Sequence, residues 1–283
     1  MRFAKVYLEI TNVCNLHCSF CPGTERSPER MPPERFAAYC EKLRPYTDYL
    51  YLHLMGEPLL HPDLEALLSI AQGCGFRVIL TTNGTLLPKT EPVLLSAAAL
   101  HKVNISLHSF EANPAGELQA YLDGCVSFAV RAARQGILLN LRLWNLDSAL
   151  RAGQNRENDA ILQYLREVFP GQWQLGRGAY RLSERIWLSQ EEIFDWPDLD
   201  APHENTRHGC YGLKDQLGVL CDGTVVPCCL DRNGTLALGS LDRETVEDIL
   251  AKPRTKEILS GFQHGRAAEP LCRRCGYANR FRR

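Results

Sequence analysis

Three cysteines lie close together near the start of the chain, in the segment Cys14-Asn-Leu-His-Cys18-Ser-Phe-Cys21. Thiolates bind soft metals and iron–sulfur clusters, so this spacing indicates one shared metal centre. A cluster of four irons normally takes four cysteine ligands. The loop supplies three, which would leave one iron open to a small molecule. A structural zinc loop is the alternative, but zinc usually takes four ligands and no fourth lies nearby in the sequence.

A second group of cysteines occupies the last third of the chain. Its members are Cys210, Cys228, Cys272 and Cys275. The segment between the first two reads as a β-hairpin around an Asp-Gly turn, and the last two form a C-x2-C pair. Four thiolates would ligate one 4Fe–4S cluster completely. Cys221 or Cys229 of the same hairpin could replace Cys228, and a zinc site with four cysteine ligands would show a similar spacing.

The first part of the chain alternates strand and helix patterns, which predicts an α/β fold with a parallel sheet and right-handed crossovers. The predicted strands are Lys5–Ile10, Tyr49–Leu54, Arg77–Thr81, Lys102–Leu107, Ile137–Trp144 and a sixth near Tyr180–Leu188. The predicted helices between them are Pro33–Leu43, Pro62–Gln72, Pro92–Ala99, Glu117–Arg134 and Glu157–Val168.

Four of these strands alternate apolar and polar side chains, so each has one apolar and one polar face. A parallel sheet covered by helices on both sides would be apolar on both faces. The pattern instead favours a curved, partly open barrel with helices outside and a polar lumen. The side chains expected in that lumen are Glu9, Tyr51, His53, Asn104, His108, Asn140 and Arg142.

The cysteine loop, with Phe20 before its last cysteine, resembles the signature of the radical S-adenosylmethionine (radical SAM) family. The resemblance implies a partial (β/α)6 barrel and a 4Fe–4S cluster whose open iron binds SAM. One electron then cleaves SAM to methionine and a 5′-deoxyadenosyl radical. The segment Met55-Gly56-Glu57-Pro58 resembles the family's Gly-Gly-Glu-Pro motif, which holds the amino group of SAM. Asn83, in a Thr-Asn-Gly turn, and Ser106 stand where the family places further cofactor contacts.

The order Cys210-x12-Gly223-x4-Cys228 resembles the SPASM and twitch extensions of radical SAM enzymes, which carry auxiliary clusters. No further cysteines follow Cys275, so the resemblance implies the twitch form, with one auxiliary 4Fe–4S cluster. Cys228 is the preferred ligand because it completes this pattern. The expected organisation is a barrel over residues 1–195 and a small α+β twitch domain with a β-hairpin over residues 205–283.

Composition excludes several other classes of protein. A formal net charge of −1 over 283 residues gives no general attraction to nucleic acid, and no apolar run is long enough to span a bilayer. The N-terminus lacks the apolar core of a signal peptide, so we expect a cytoplasmic enzyme with reduced cysteines. The family resemblance implies flavodoxin or ferredoxin as the reductant.

The predicted reaction is oxidation of a polar small molecule, in which the auxiliary cluster accepts an electron. The resemblance includes twitch enzymes that dehydrogenate aminocyclitols. Arg142 and Glu9 are the candidate bases for a substrate hydroxyl, because both lie on the polar strand faces. The alternative is a peptide maturase that installs thioether or carbon cross-links. Against it, the first strand begins near Lys5, which leaves no N-terminal module to grip a leader peptide.

Overall fold

A computed structural model describes residues 1–113, 116–146, 156–176 and 178–281. Its centre is one sheet of 11 strands in the order β11-β10-β9-β1-β2-β3-β4-β5-β8-β7-β6. The strands are β1 Lys5–Leu8, β2 Tyr49–Tyr51, β3 Arg77–Thr82, β4 Leu100–Ser106, β5 Leu138–Leu146, β6 Gln174–Gly176, β7 Ala179–Arg181, β8 Ile186–Glu192, β9 Gln216–Val219, β10 Thr224–Val226 and β11 Gly239–Ser240. The helices are α1 Pro33–Leu43, α2 Leu64–Gly73, α3 Leu87–Ser96, α4 Leu118–Arg134, α5 Asn158–Val168, α6 Val246–Ala251, α7 Pro253–Gln263 and α8 Pro270–Arg273.

The strands from β9 through β1 to β5 and β8 are parallel to their neighbours, whereas the pairings at both ends of the sheet are antiparallel. The sheet does not close on itself. The predicted α/β fold, a partial barrel of parallel strands, is therefore confirmed. Within the described ranges, no helix is both long and apolar enough to cross a bilayer.

The two faces of the sheet differ as their alternation predicts. Val6, Leu8 and Ile10 of the first strand region are fully buried in the core, as are Leu139 and Leu141 of β5. The side chains between them point to the other face, where β1, β2, β4 and β5 contribute to one cavity. Burial of the apolar face stabilises the sheet, and the opposite face is left for polar side chains.

The C-terminal hairpin continues the same sheet. β9 pairs in parallel with β1, from Lys5 opposite Gln216 to Leu8 opposite Val219, and β10 pairs with β9 in the antiparallel sense. The predicted division between residues 195 and 205 stays a prediction. What the structure adds is a hydrogen-bonded connection between the two predicted parts.

Two predicted elements were wrong in their limits. The sixth strand was expected near Tyr180–Leu188, but that segment folds as the hairpin of β7 and β8, because Leu182 and Ser183 turn back onto the carbonyl of Ile186. The sixth parallel strand of the barrel is thus β8, which pairs with β5. The helix expected at Pro92–Ala99 is α3, which begins earlier because Pro88 occupies its first turn; Pro92 lies inside it.

Candidate active site

The first cysteine loop lies at the carboxyl end of β1 and is partly open to solvent. Cys14 and Cys21 are exposed and Cys18 is half-buried. Glu111 holds the loop in place, because one of its carboxylate oxygens accepts hydrogen bonds from the backbone N–H and the hydroxyl of Ser19, at 2.9 and 2.6 Å. Exposed thiols on an anchored loop suit a cluster that a small molecule must reach.

Gly56 packs directly against the backbone that leads into this loop. Its φ is +73°, and a Cβ there would lie 2.5 Å from the carbonyl oxygen of Thr11. Only glycine has the freedom and the room for this contact. The next residue, Glu57, donates its N–H to the carbonyl of Val13 at 2.8 Å. The motif after β2 thus packs against the backbone that leads into the cysteine loop, and its cofactor role stays a prediction.

Glu57 connects the loops that follow β2 and β3. Its carboxylate is buried and accepts hydrogen bonds from the backbone N–H groups of Asn83, at 2.7 Å, and Leu59, at 3.1 Å. Burial raises the pKa of Glu57 to about 7, although these hydrogen bonds oppose the shift. Asn83 in turn donates from its side-chain amide to Asn15 of the cysteine loop at 2.9 Å.

Gly56, Glu57 and Asn83 therefore lie in one network with the cysteine loop. Two residues that hydrogen-bond Asn83 in this network were not predicted from the sequence, namely Asn15 and Tyr121. Asn15 lies between two cysteines without a motif of its own, and Tyr121 of α4 donates its hydroxyl to the carbonyl of Asn83 at 2.8 Å. Only the position of Asn15 inside the cysteine loop signalled a role for it.

A cavity of about 440 Å³ opens on the polar face of the sheet. At one end it reaches Phe20, whose ring lies 4.6 Å from that of His108. Ser106 also lines it, and its contact with the cofactor stays a prediction. Further lining residues from the strands are Lys5, Tyr7, Tyr51, His53, Thr81, Arg142 and Trp144. The polar strand faces thus open onto one cavity, but aromatic and aliphatic atoms supply most of its exposed lining.

Three side chains expected in the lumen do not line it. Asn104 and Asn140 are buried, and Asn104 donates to the carbonyl of Leu80 at 3.1 Å. Glu9 is also fully buried. It forms an ion pair with Arg26 at 2.7 Å and accepts backbone hydrogen bonds from Met55 and Cys221, each at 3.1 Å.

The two candidate bases thus have different surroundings. The contacts of Glu9 do not support a role as base, because its carboxylate lies outside the cavity and is already used in the ion pair and hydrogen bonds. Arg142 lines the cavity, with its guanidinium carbon 4.2 Å from the centre of the Trp144 ring. Burial lowers the pKa of Arg142 to about 10. It therefore remains protonated at neutral pH.

The second cysteine group lines the same cavity. Five thiols line it, namely those of Cys210, Cys228, Cys229, Cys272 and Cys275. The Cys228 thiol lies within electrostatic range of Cys210, Cys229 and Cys272. The Cys229 thiol lies within electrostatic range of Cys210 and Cys275, and it also hydrogen-bonds the phenol of Tyr7. The preference for Cys228 as the fourth ligand therefore stays a prediction.

Cys221 lies away from that group. Its thiol contacts the carbonyl of Glu9 at 3.3 Å in the buried interior. Within the described residues, no set of three or more His, Cys, Asp or Glu side chains is arranged to hold a single metal ion. A 4Fe–4S cluster binds each of its four thiolates through a different iron. The thiols of Cys210, Cys228, Cys272 and Cys275 have the donor chemistry for such a cluster.

Comparison with known families decides the class of the protein. The profile of the radical SAM superfamily matches residues 8–163, which is more than half of the chain. The chain is a radical SAM enzyme. An iron–sulfur cluster-binding domain of the SPASM type matches residues 210–276. The cofactors of the enzyme are accordingly a 4Fe–4S cluster with SAM in the radical SAM part and an auxiliary iron–sulfur cluster in the SPASM part, as predicted.

Curated relatives of this radical SAM enzyme differ in their activities. A GTP 3′,8-cyclase of Aquifex aeolicus is 34% identical over 241 residues, covering 78% of this chain and 75% of the relative. An AdoMet-dependent heme synthase of Oleidesulfovibrio alaskensis is 26% identical over 177 residues, which cover 62% of this chain and 43% of the relative. The chain spans less than half the length of that synthase.

Solved structures share the fold at low sequence identity. BtrN in complex with AdoMet and 2-DOIA is 16% identical with a TM-score of 0.57, covering 97% of this chain and 94% of BtrN. SuiB of Streptococcus suis bound to the precursor peptide SuiA is 13% identical with a TM-score of 0.57, covering 98% of this chain and 72% of SuiB. Native anSMEcpe with bound AdoMet and Cp18Cys peptide is 12% identical with a TM-score of 0.60, covering 89% of this chain and 81% of anSMEcpe.

Proposed function

We propose that this radical SAM enzyme oxidises a polar small molecule held in the cavity on the polar face of the sheet. One observation carries the proposal: a single cavity extends from Phe20, beside the first cysteine loop, to the five thiols of the second cysteine group. A substrate in it would lie between the site of SAM and an electron acceptor. When bound, the cofactors supply a 5′-deoxyadenosyl radical at one end and an electron acceptor at the other.

The protein groups that hold the cofactors follow from the contacts described above. We assign Cys14, Cys18 and Cys21 to the SAM-binding cluster. Cys210, Cys228, Cys272 and Cys275 are assigned to the auxiliary cluster. Phe20, Gly56, Glu57, Asn83 and Ser106 would shape the SAM site. Reduced flavodoxin or ferredoxin would supply the electron.

The side chains of the cavity suggest how a substrate hydroxyl could lose its proton. Arg142 is protonated at neutral pH, so it would donate hydrogen bonds to the substrate rather than remove a proton. His108 is the candidate base among the cavity side chains, because it lines the cavity and burial, which lowers its pKa to about 4, keeps the ring neutral. The same low pKa makes it a weak base, so its role depends on hydrogen-bond reach to the substrate proton. Its Nδ1 lies 3.0 Å from the carbonyl oxygen of Arg142 and 3.4 Å from the backbone nitrogen of Trp144. The shorter contact, with an oxygen that can only accept, favours the tautomer with the hydrogen on Nδ1 and a lone pair on Nε2.

The test is a substrate panel incubated with the reconstituted, reduced enzyme and SAM. The panel contains polyols, aminosugars, sugar acids and sugar phosphates. GTP is included because relatives named GTP 3′,8-cyclase share part of the sequence. We expect 5′-deoxyadenosine and a ketone in equal amounts from at least one hydroxylated compound. A His108→Gln variant should lower the rate of ketone formation by about 100-fold. Product formed from GTP without net oxidation would contradict the proposal.

Peptide modification is the second candidate. A groove of about 600 Å³ adjoins the cavity and shares Phe20, Phe194 and Trp196 with it, so an extended chain could enter there. The same assay separates the two candidates. If small molecules leave SAM cleavage at its basal rate and a cysteine-containing peptide stimulates it, peptide modification replaces small-molecule oxidation.

A further inference from the structure

Three cationic side chains gather on the polar face of the sheet. Lys5 of β1 and Arg142 of β5 line the cavity, and Lys102 of β4 is half-buried between the strands. The Lys5 ammonium lies 5.6 and 5.5 Å from the ring centres of Tyr7 and Tyr51. Among the described residues, none of the three cations forms an ion pair, and the buried Nε of Arg142 has no hydrogen-bond partner.

Acidic groups that could balance this charge are engaged elsewhere. Asp231 lines the cavity, but its two carboxylate oxygens accept the N–H groups of Thr235 and Leu236, at 2.9 and 2.7 Å. Glu9 is paired with Arg26 outside the cavity. Asp231 keeps its charge in these hydrogen bonds, but among the described residues that line the cavity it is one carboxylate beside the two cations Lys5 and Arg142.

Burial and mutual repulsion make this arrangement costly without an anion. Burial lowers the pKa of Lys102, and Arg142 and Lys5 lower it further. The same two cations add to the effect of burial on His53, whose pKa falls to about 3. Lys102 and His53 thus each lie within electrostatic range of both Lys5 and Arg142. An anion bound among them would relieve the repulsion, because Coulomb attraction is strong where water is scarce.

We propose that Lys5 and Arg142 form a binding site for an anionic group, a carboxylate or a phosphate, on the small-molecule substrate. A guanidinium presents a planar fork of donors that matches both groups, and its partner ammonium adds a second charge. The aromatic rings of Tyr7, Tyr51 and Trp144 would flank the anion. This inference rests on the proposed function and narrows its substrate class to acids or phosphate esters.

Binding of simple anions to the enzyme with both clusters reconstituted tests the proposal without turnover. Succinate and inorganic phosphate are titrated separately by calorimetry, with uncharged succinamide as the comparison. We expect at least one anion to bind and succinamide not to bind. Arg142→Gln and Lys5→Gln should each weaken anion binding by at least tenfold, whereas Lys89→Gln, at an exposed position of α3, should match the wild type. Whichever anion binds identifies the chemical class.

Two outcomes would overturn the proposal. One is that neither anion binds, or that Arg142→Gln binds them as tightly as the wild type. The other is that the variants only shift the midpoint potential of the auxiliary cluster, followed by electron paramagnetic resonance, while anion binding is unchanged. The cations would then balance the cluster charge. Iron content and thermal unfolding of each variant confirm that it is folded. If the enzyme oxidises no substrate in the panel, the proposed function fails, but the measured anion affinities still decide whether the anion site exists.

Discussion

The two cysteine groups of this enzyme are built in different ways. The first lies in one short loop with two exposed thiols, anchored by Glu111 and by contacts from the ends of β2 and β3. The second gathers thiols from distant segments, a hairpin and the region of α8, along the wall of one cavity. Under the proposed assignment, the loop would hold three ligands of a cluster that must admit SAM, and the second group would hold four ligands of a cluster that admits none.

This difference indicates that the chain separates binding from electron transfer. Open ligation at the first loop allows a small molecule to reach an iron. Complete ligation at the second group prevents it, and leaves structure or electron transfer as its role. The cavity between them is where the two roles meet, so variants at either end should have separable effects.

The largest effect is expected from the first loop. Replacing Cys14, Cys18 and Cys21 by Ala should abolish 5′-deoxyadenosine formation while about four irons per chain remain. Iron analysis and chromatography of the products measure both quantities. Cys74→Ala, at a half-buried cysteine outside both groups, is the control and should retain full iron content. SAM cleavage by the triple variant would disprove the assignment.

Cys228 and Cys229, which are adjacent in the hairpin, can be compared as ligands of the auxiliary cluster. Cys228→Ala should lower the iron content from about eight to about four per chain, because it removes a ligand of the auxiliary cluster. Cys229→Ala should leave about eight irons, because that thiol contacts Tyr7 instead. The reverse result would assign the ligand to Cys229. A preparation that holds about four irons and one zinc would select the zinc alternative.

The effect of the close packing beneath the first loop on stability can be tested by replacing two glycines that both have a positive φ. Gly56→Ala should lower the free energy of unfolding by about 3 kcal/mol, from the positive φ and from the clash with the Thr11 carbonyl. Gly136→Ala shares a positive φ of +91° but has no atom within 4 Å of its Cβ, and should cost about 1 kcal/mol. Urea denaturation measures both. Equal losses would show that the close approach contributes nothing.

A smaller effect should appear with pH. Burial lowers the pKa of His108, beside Phe20, to about 4, and that of His53 to about 3. An unfolded histidine binds a proton near pH 6.5, so below that pH the unfolded state takes up more protons and stability falls as the pH falls. We expect a loss of about 1 kcal/mol per pH unit for each histidine between about pH 6 and pH 4.

Denaturation at several pH values measures this slope. His108→Gln should make it shallower, and His203→Gln, at an exposed position, should keep the wild-type slope. An unchanged slope in His108→Gln would mean that the His108 ring accepts a proton in the folded enzyme.

Features encoded locally could be predicted from the sequence. The short spacing of Cys14, Cys18 and Cys21 indicated one metal centre, and strict alternation in β1 and β5 indicated the polar lumen. Lys5 shares the polar face of its strand with Tyr7, so its place in the cavity was also readable, although it was not singled out. These signals depend on neighbours within a few residues.

Features that depend on distant partners could not be predicted. Glu9 looked like a lumen acid by alternation, but Arg26 and the N–H of Cys221, 212 positions away in the chain, hold it in the interior. The β7–β8 hairpin was missed because a turn at Leu182 and Ser183 lacks glycine and proline. The place of Cys229 against Tyr7 likewise depends on the pairing of β9 with β1.

That pairing has a consequence for how the protein is made. β1 leaves the ribosome before β9, so the edge of β1 that pairs with β9 stays unpaired until β9 has been synthesised. An unpaired strand edge is a template for aggregation, and contacts between distant segments form slowly. A chain truncated before Gln216 would leave that edge of β1 permanently unpaired. The segment that contains β9 and the second cysteine group thus also covers an aggregation-prone edge, and we expect its deletion to make the protein insoluble.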